Sequence, residues 1–333
     1  SKYGVSENRS KLLPQINAIA GYNNNFDPPV SVTDGSSYGV PYNITKTLQH
    51  SANAGLEMQM PLFNQTLYTS MSIAKVMEEI SRLSYGKARE DVILQISKMY
   101  YLGQVTAEQI MLIKANITRL EELRDITQAF FDNGMSMEVD LKRVNINLEN
   151  LKVQYDNAQA MMKQQLNMLK YIMDYPAEKE IALTPVNTDS ITTVALTGLS
   201  ENIYELQLSQ SQVQLAERQK KIITNGYIPS LSLTGSWRYA AYTDKGYHWF
   251  HSGPSNQWFR SYGVGLTLRI PIFDGLDKTY KIKKAMIDIE NKRLAWEDAR
   301  QNLQTQYLNA VNDLMNNQRN FKKQKDNYLL AED

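Results

Sequence analysis

Side chains that could carry out chemistry are scarce in this sequence of 333 residues, which has no cysteine and only three histidines. The lack of cysteine excludes disulfides, thiol catalysis and thiolate metal sites. His248 and His251 are close enough in sequence to share a metal ion, but Trp249 and Phe250 separate them in a loop between predicted strands, which favours histidines without a ligand role. His50 lies in a similar loop. No phosphate-binding glycine loop, nucleophile elbow or buried carboxylate pair is recognisable, so we predict no enzyme activity, no cofactor and no metal site.

One acidic cluster is an exception to this scarcity. Between Asp125 and Leu141 the sequence contains acids but no Lys or Arg. The acids are Asp125, Asp132, Glu138 and Asp140. In one interpretation this is a solvated helix end, because negative charge is favoured in the first turn of a helix. In the other, the carboxylates line the mouth of a pore, where they would favour cations and hold neighbouring copies together by salt bridges.

The acidic cluster surrounds a predicted turn between two long helices. Residues 66–131 have apolar side chains three and four positions apart and no proline, which predicts a helix about 100 Å long at 1.5 Å per residue. Residues 137–174 carry a second such seam. Between them, the stretch Asn133, Gly134, Met135 and Ser136 supplies a left-handed position that ends the first helix. The two helices therefore form an antiparallel hairpin with its tip near Gly134.

Four shorter stretches, each of about ten residues, alternate between apolar and small polar side chains, the pattern of a tilted strand in an outer-membrane barrel. We predict that the lipid-facing residues are Leu56, Met58, Leu231, Leu233, Leu266 and Leu268. We predict that the residues facing the lumen are Glu57, Gln59, Thr234, Thr267 and Arg269. Tyrosines and tryptophans cluster near the strand ends, as in an interfacial girdle. A soluble sandwich has the same alternation, but four strands flanked by such long helices cannot close a sandwich.

The strands and helices occur twice in the same order. NAGLEMQMPLFN at 53–64 matches GVGLTLRIPIFD at 263–274, so that Gly55 corresponds to Gly265. Upstream, LLPQI at 12–16 matches YIPSL at 227–231, which aligns Pro14 with Pro229. A long charged helical stretch follows each copy. This duplication predicts an α+β, mainly helical fold, in which a strand hairpin and a long helical hairpin are repeated.

These motifs resemble those of the TolC-type outer-membrane efflux proteins, the exit ducts of Gram-negative tripartite pumps. The resemblance is carried by LLPQINAIAGYN (12–23), PLFN (61–64), FFDNGMSMEVDL (130–141), NLENLKVQYDNA (147–158), YIPSLSLTGSWRY (227–239) and PIFDG (271–275). It implies a homotrimer whose twelve strands form one barrel that an α-helical barrel extends into the periplasm. It also places Asp140 at the position of an aspartate in the family's first tip, where it would latch neighbouring hairpins. The family's second tip would lie beyond Asp333, so we expect a truncated protomer.

The resemblance leads to the following expected division of the chain. Residues 1–14 end a first periplasmic helix, and residues 15–62 form a barrel hairpin with an extracellular loop. Residues 63–174 form the long α-hairpin with its tip near 132–136, residues 175–198 form a mixed equatorial segment, and residues 199–226 form a short periplasmic helix. Residues 227–272 form a second barrel hairpin with an extracellular loop, and residues 273–333 form a second, incomplete long helix.

The resemblance implies a passive duct in the outer membrane, carrying small molecules or polypeptide, with a periplasmic adaptor, an inner-membrane pump and outer-membrane lipid as partners. The net charge of +1 encodes no broad attraction to nucleic acid. A periplasmic adaptor also has a long α-hairpin, but it lacks duplicated amphipathic strands. A structural coiled coil would leave the aromatic girdles unexplained. Both remain alternatives to the duct.

Overall fold

The computed structural model describes residues 2–34, 39, 41–46, 48–185, 200, 202–244 and 258–332. Within these ranges the elements follow the order α1 (Lys2–Ser10), β1 (Gln15–Asn24), β2 (Val30–Asp34), β3 (Tyr42–Lys46), β4 (His50–Phe63), α2 (Gln65–Asp132), α3 (Glu138–Ile172), α4 (Tyr204–Asn225), β5 (Ser230–Thr243), β6 (Trp258–Arg269) and α5 (Asp277–Glu332). The chain divides into two compact units, one made of Ser1–Leu83 with Ser200–Asp333 and one made of Ser84–Leu199.

The first unit is built on an antiparallel four-stranded sheet in the order β1-β4-β5-β6. The hairpin of the first repeat (β1 and β4) thus lies beside the hairpin of the second (β5 and β6), and β4 pairs with β5 across the junction. β1 and β6 are the edge strands. A separate hairpin of β2 and β3 lies in the loop between β1 and β4. The sequence pattern did not predict this hairpin, because each of its strands has only five residues.

Matching polar residues precede both long helices: Asn64 lies immediately before α2, and Asp274 lies three residues before α5. The Asn64 side-chain oxygen accepts the backbone N–H groups of Thr66 at 3.0 Å and Leu67 at 3.3 Å, so it caps α2. In the second repeat, Asp274 accepts the backbone N–H of Lys278 at 3.2 Å, at the start of α5. The duplication thus extends to the polar group that starts each helix.

Helix α4 packs against α5, and a buried contact ties it to the start of α2. The Asn225 side chain donates to the Thr69 hydroxyl at 2.6 Å, and both residues are buried. On the outer surface, Arg293 of α5 forms an ion pair with Glu217 of α4 at 3.1 Å. Because buried polar groups need partners, the Asn225–Thr69 bond specifies how α4 sits on α2.

The second unit is an antiparallel helical hairpin. At its tip, the Ser136 hydroxyl donates to the Thr127 carbonyl at 3.4 Å. Further along α2, Gln104 donates to the Thr184 carbonyl at 2.7 Å, in the segment that follows α3. These two links place the return chain alongside α2. Leu148 and Leu169 of α3 are almost fully buried, as expected for the seam of a paired helix.

Apolar side chains are unusually exposed in both units. The exposed set includes Tyr85 and Tyr101 on α2, Met286 and Ile287 on α5, and Tyr262 and Val264 on β6. A monomeric soluble protein rarely exposes so much apolar surface, so these surfaces are typical of a chain that faces lipid or other chains.

The capping role of Asn64 leads to a first prediction. Asn64→Ala should lower the free energy of unfolding by about 1 kcal/mol, because two N–H groups at the start of α2 lose their acceptor. Chemical unfolding in detergent, followed by circular dichroism, measures this change. Asn64→Asp is the matched control, since aspartate caps equally well; equal stability of the Ala and Asp variants would contradict the capping role.

Candidate channel lining and helical tip

The strand register places the predicted lumen residues on one face of the sheet. Residues that lie opposite each other in an antiparallel pair share a face. Gln59 lies opposite Thr234, and Glu57 lies opposite Ser236. On the other side of β5, Ser232 lies opposite Thr267 and Ser230 lies opposite Arg269. Glu57, Gln59, Thr234, Thr267 and Arg269 therefore share one polar face, together with Asn17 and Asn23 of β1.

The predicted lipid residues all lie on the opposite face. Leu56 lies opposite Trp237, Met58 opposite Gly235 and Met60 opposite Leu233. In the second hairpin, Leu231 lies opposite Leu268 and Leu233 opposite Leu266. The two sets are thus separated by the sheet. Their assignment to lipid and to water stays a prediction.

The polar face carries an ion pair that sequence reasoning did not identify. Arg238 of β5 pairs with Glu57 of β4, two positions along the strand from the residue directly opposite. About 42% and 46% of the two side chains are exposed, so the pair contributes at most about 1 kcal/mol to stability. The ion pair matters because of its position, since it places opposite charges on the face that is predicted to line the lumen. The even spacing of Arg238 from Thr234 was the signal that could have revealed it.

Gly55 allows the strands to approach closely beside this ion pair. A Cβ atom at Gly55 would lie 2.4 Å from the Trp237 carbonyl oxygen and 2.8 Å from the Arg238 Cα. Any larger residue at this position would push β4 away from β5. The need for glycine here is steric rather than conformational.

The acids at the tip are largely neutralised by bases just outside the acid-only stretch. Arg124 contacts Asp125 at 2.6 Å, Lys142 contacts Glu138 at 2.7 Å and Arg143 contacts Asp140 at 3.6 Å. Asp132 instead accepts the Gln128 amide at 2.8 Å. These bases are visible in the sequence, and their helical spacing decides which acid each one neutralises. Arg143 lies three residues after Asp140, and Lys142 lies four residues after Glu138.

Charge pairing also affects titration at the tip. The hydrogen bond from Lys142, together with its positive charge, holds the pKa of Glu138 below its usual value of 4.5. Because the pKa is lowered, the interaction is complete at neutral pH and is lost only as the pH falls through that lowered pKa. Glu138 is therefore ionised at any pH near neutrality.

The turn itself depends on Gly134, which has a φ of +74°. The Met135 N–H bonds the Phe130 carbonyl at 2.8 Å and the Gly134 N–H bonds the Phe131 carbonyl at 2.9 Å, which closes the end of α2. Asn133 adds a side-chain bond to the Ala129 carbonyl at 2.7 Å. Nothing lies within 4 Å of a Cβ placed on Gly134. The position therefore demands glycine for its backbone conformation and not for lack of space.

Of the three histidines, the structure describes one, His50. His50 forms a hydrogen bond of 2.9 Å between its Nδ1 and the Tyr22 hydroxyl. His248 and His251 lie outside the described residues. In the part of the chain that the structure describes, no group of three or more His, Asp or Glu side chains is arranged to hold a metal ion. Across those same residues, no helix has the length and hydrophobicity needed to cross a membrane.

A sheet with one apolar and one polar face, together with long helices, is typical of outer-membrane channels that have a helical periplasmic extension. The family profile described as "Outer membrane efflux protein" matches residues 1–173, about half of the chain. The chain belongs to the outer membrane efflux protein family. Its location is the outer membrane of a Gram-negative bacterium, with a periplasmic extension.

Relatives and solved structures agree with this assignment. The chain is 22% identical over 319 residues to the outer membrane protein TolC of Vibrio cholerae serotype O1, covering 93% of this chain and 66% of that protein. The outer-membrane channel OprN aligns with a TM-score of 0.73 at 15% identity, covering 96% of this chain and 69% of its own. The channel CusC aligns with a TM-score of 0.71 at 16% identity, covering 91% and 67%. The chain thus spans about two thirds of the length of these proteins.

The separation of the two faces leads to a second prediction. Leu56→Arg should reduce assembly, because a charge near the middle of a lipid-facing strand costs about 2–4 kcal/mol. Gln59→Arg, on the same central strand but on the polar face, should assemble normally. The yield of folded protein in outer-membrane fractions measures both variants. Equal yields would show that the sheet does not face lipid on its apolar side.

Proposed function

We propose that the chain is a protomer of an outer-membrane exit duct, through which small molecules or polypeptides pass passively from a periplasmic adaptor and an inner-membrane pump to the exterior. The observation that carries this proposal is the two-faced sheet, with Leu56 and Leu233 on one side and Glu57 and Thr234 on the other. A sheet with one apolar and one polar face suits a barrel with lipid outside and water inside.

The duct requires more than one chain. In lipid, an unpaired backbone group costs several kcal/mol, so strands β1 and β6 cannot leave their outer edges open. Four strands are too few to close a barrel, since the smallest have about eight. A cyclic, head-to-tail homotrimer pairs each β6 with the next β1 and gives twelve strands.

A conductance measurement tests the duct directly. The purified trimer, reconstituted in planar bilayers, should insert and conduct ions, and the trimer should depend on detergent when it is extracted. A periplasmic adaptor or a structural coiled coil would stay folded without detergent and would form no channel. A chain that stays folded without detergent, or one that forms no channel, would overturn the proposal. The two-faced sheet argues against both alternatives, because neither has a use for an apolar sheet surface.

The helical tip is the proposed docking surface for the adaptor, over residues 126–145. Met135, Met137 and Val139 are largely exposed there, and Phe130 is half exposed. An apolar hairpin end rimmed by paired charges suits a second helical hairpin, because the apolar seam can continue across the junction.

The backbone conformation of Gly134 leads to a third prediction. Gly134→Val should abolish export while the trimer remains in the membrane, because a β-branched residue is strained at a φ of +74°. Export of a substrate in a strain that lacks its own duct, with trimer content measured alongside, gives the readout. Gly134→Asn is the control, since asparagine tolerates this conformation. A Val variant that exports normally would contradict docking at the tip.

The tips of three copies would also surround the periplasmic aperture. Asp132 and Asp140 are the acids most available for this role. Asp132 is bonded to the neutral Gln128 amide, and the contact between Asp140 and Arg143, at 3.6 Å, is longer than the other ion pairs described at the tip. Asp140 is the proposed latch residue between neighbouring hairpins. Each exposed pair is worth about 1 kcal/mol or less, so several pairs must act together in the ring.

The aperture proposal leads to a fourth prediction. Asp140→Asn should raise single-channel conductance, and neutralising Asp132, Glu138 and Asp140 together should lower the preference for cations. Conductance and reversal potential in planar bilayers measure both effects. Asp125→Asn is the control, because Arg124 already neutralises that acid at 2.6 Å. If the triple variant leaves conductance and selectivity unchanged, the aperture is formed by other residues.

A further inference from the structure

The apolar face of the four-stranded sheet carries a single fixed charge. The residues of strands β1, β4, β5 and β6 that bear a fixed charge are Glu57, Arg238, Arg260 and Arg269. Three of them lie on the polar face described above. Arg260 lies on the apolar face, because it is opposite Tyr239, which is in turn opposite Ala54 of β4. The register therefore places one arginine among the side chains predicted to meet lipid.

Aromatic side chains surround Arg260 on this face. Trp258 and Tyr262 are its neighbours on β6, two residues away in each direction, and Tyr239 lies directly opposite on β5. The guanidinium carbon lies 5.8 Å from the centre of the Tyr262 ring, which is a cation–π contact. Tyr262 is itself 77% exposed, so this contact holds the arginine at the surface of the sheet and does not bury it.

No carboxylate neutralises this arginine. Within the described residues, Arg260 forms no ion pair, and the apolar face of the four strands contains no Asp or Glu. The other basic side chain on this face is His50, whose Nδ1 is bonded to the Tyr22 hydroxyl at 2.9 Å. By contrast, Arg238 on the polar face is paired with Glu57. The charge of Arg260 therefore calls for an anion from outside the chain.

The distance along β6 places Arg260 near one edge of the membrane. Leu268 lies at the end of β6 that leads to α5, which is the periplasmic end. From Leu268 to Arg260 the strand rises by about 27 Å at about 3.4 Å per residue, or about 20 Å along the membrane normal at a tilt of about 40°. The apolar band of a barrel is about 25 Å tall, so Arg260 should lie at the outer interface.

We propose that Arg260 binds a phosphate group in the headgroup of a lipid of the outer leaflet. This inference rests on the proposed duct, whose apolar face meets lipid, and it specifies a lipid site on that face. A planar guanidinium binds phosphate through two parallel N–H···O bonds, which suits arginine better than lysine. A phosphate partner also offsets the cost of placing a cation beside lipid.

The aromatic rings favour a phosphate that is carried by a lipid over one that is free in solution. Trp237 and Tyr239 pack edge to face with ring centres 5.7 Å apart, and Trp237 is 47% exposed. Rings of this kind have an apolar body and one polar group, so they suit the boundary between headgroup and acyl chain. A lipid would contact both the guanidinium and these rings, whereas a free phosphate would contact the guanidinium alone.

Native mass spectrometry of the purified protein in detergent tests this site. The probe is diphosphorylated lipid A, and the amount bound is measured as its concentration rises. Arg260→Gln should weaken binding about tenfold, as expected for the loss of a charge-assisted hydrogen bond. Equal binding by the unchanged protein and by Arg260→Gln would overturn the site.

Arg269→Gln is the matched control, because it removes the same charge from the same strand but on the polar face. It should bind lipid A as the unchanged protein does. An equal loss in both Gln variants would show attraction to overall charge and would overturn the site. If Arg260→Gln does not assemble, Arg260→Lys gives the reading: it keeps the charge, loses the two parallel bonds and should bind several-fold more weakly. Unchanged binding by Arg260→Lys would then overturn the site.

Two further ligands identify the source of the phosphate. Fully dephosphorylated lipid A should bind the unchanged protein as weakly as lipid A binds Arg260→Gln, and equal binding of the two lipids would overturn the role of phosphate. Inorganic phosphate at the concentration of lipid A should not displace it, because free phosphate makes no contact with the rings. Displacement would assign the site to a free anion and overturn the lipid.

Conductance in planar bilayers separates this inference from the proposed function. Arg260→Gln should conduct as the unchanged protein does, because Arg260 lies on the face away from the lumen. A conducting protein whose lipid binding does not depend on Arg260 would overturn the site alone. A protein that binds lipid A through Arg260 but conducts no ions would overturn the duct and leave the lipid site standing.

Discussion

Backbone hydrogen bonding at the edges of the sheet is the constraint on which the rest of this structure depends. In lipid there is no water to satisfy the N–H and C=O groups of β1 and β6, so these edges must meet another strand. Within the described residues, the chain provides four strands in this sheet. Closure by further copies is the proposed solution, and the exposed apolar residues after β6, such as Ile272 and Phe273, fit it.

Duplication explains how one short sequence can meet this constraint. The two hairpins share their registers, their Pro-containing exits and the polar residue that starts each long helix. The Glu57–Arg238 ion pair departs from this symmetry, because the residues at the equivalent positions of the repeat, Thr267 and Asn23, are neutral.

The tip of the helical hairpin depends on a different balance. At the tip, the backbone turn at Gly134 sets the geometry of the hairpin. Ion pairs between residues close in sequence neutralise much of the acidic charge. Ion pairing within the hairpin weakens the electrostatic field of Asp125 and Glu138. Asp132 and Asp140 are therefore the acids proposed to act on neighbouring hairpins. The apolar side chains around them, including Met135 and Met137, are then free to provide contact area.

Much of this protein can be predicted from its sequence. Apolar spacing predicted the long helices, alternation separated Leu56 from Glu57, and Asn133-Gly134 located the turn, because each signal is local and periodic. The sequence missed the short β2–β3 hairpin, whose strands are too brief for a periodic signal. Tertiary structure alone brought Arg238 to Glu57, 181 residues away. Strand register and side-chain pairing depend on distant parts of the chain meeting, and no local pattern encodes that distance.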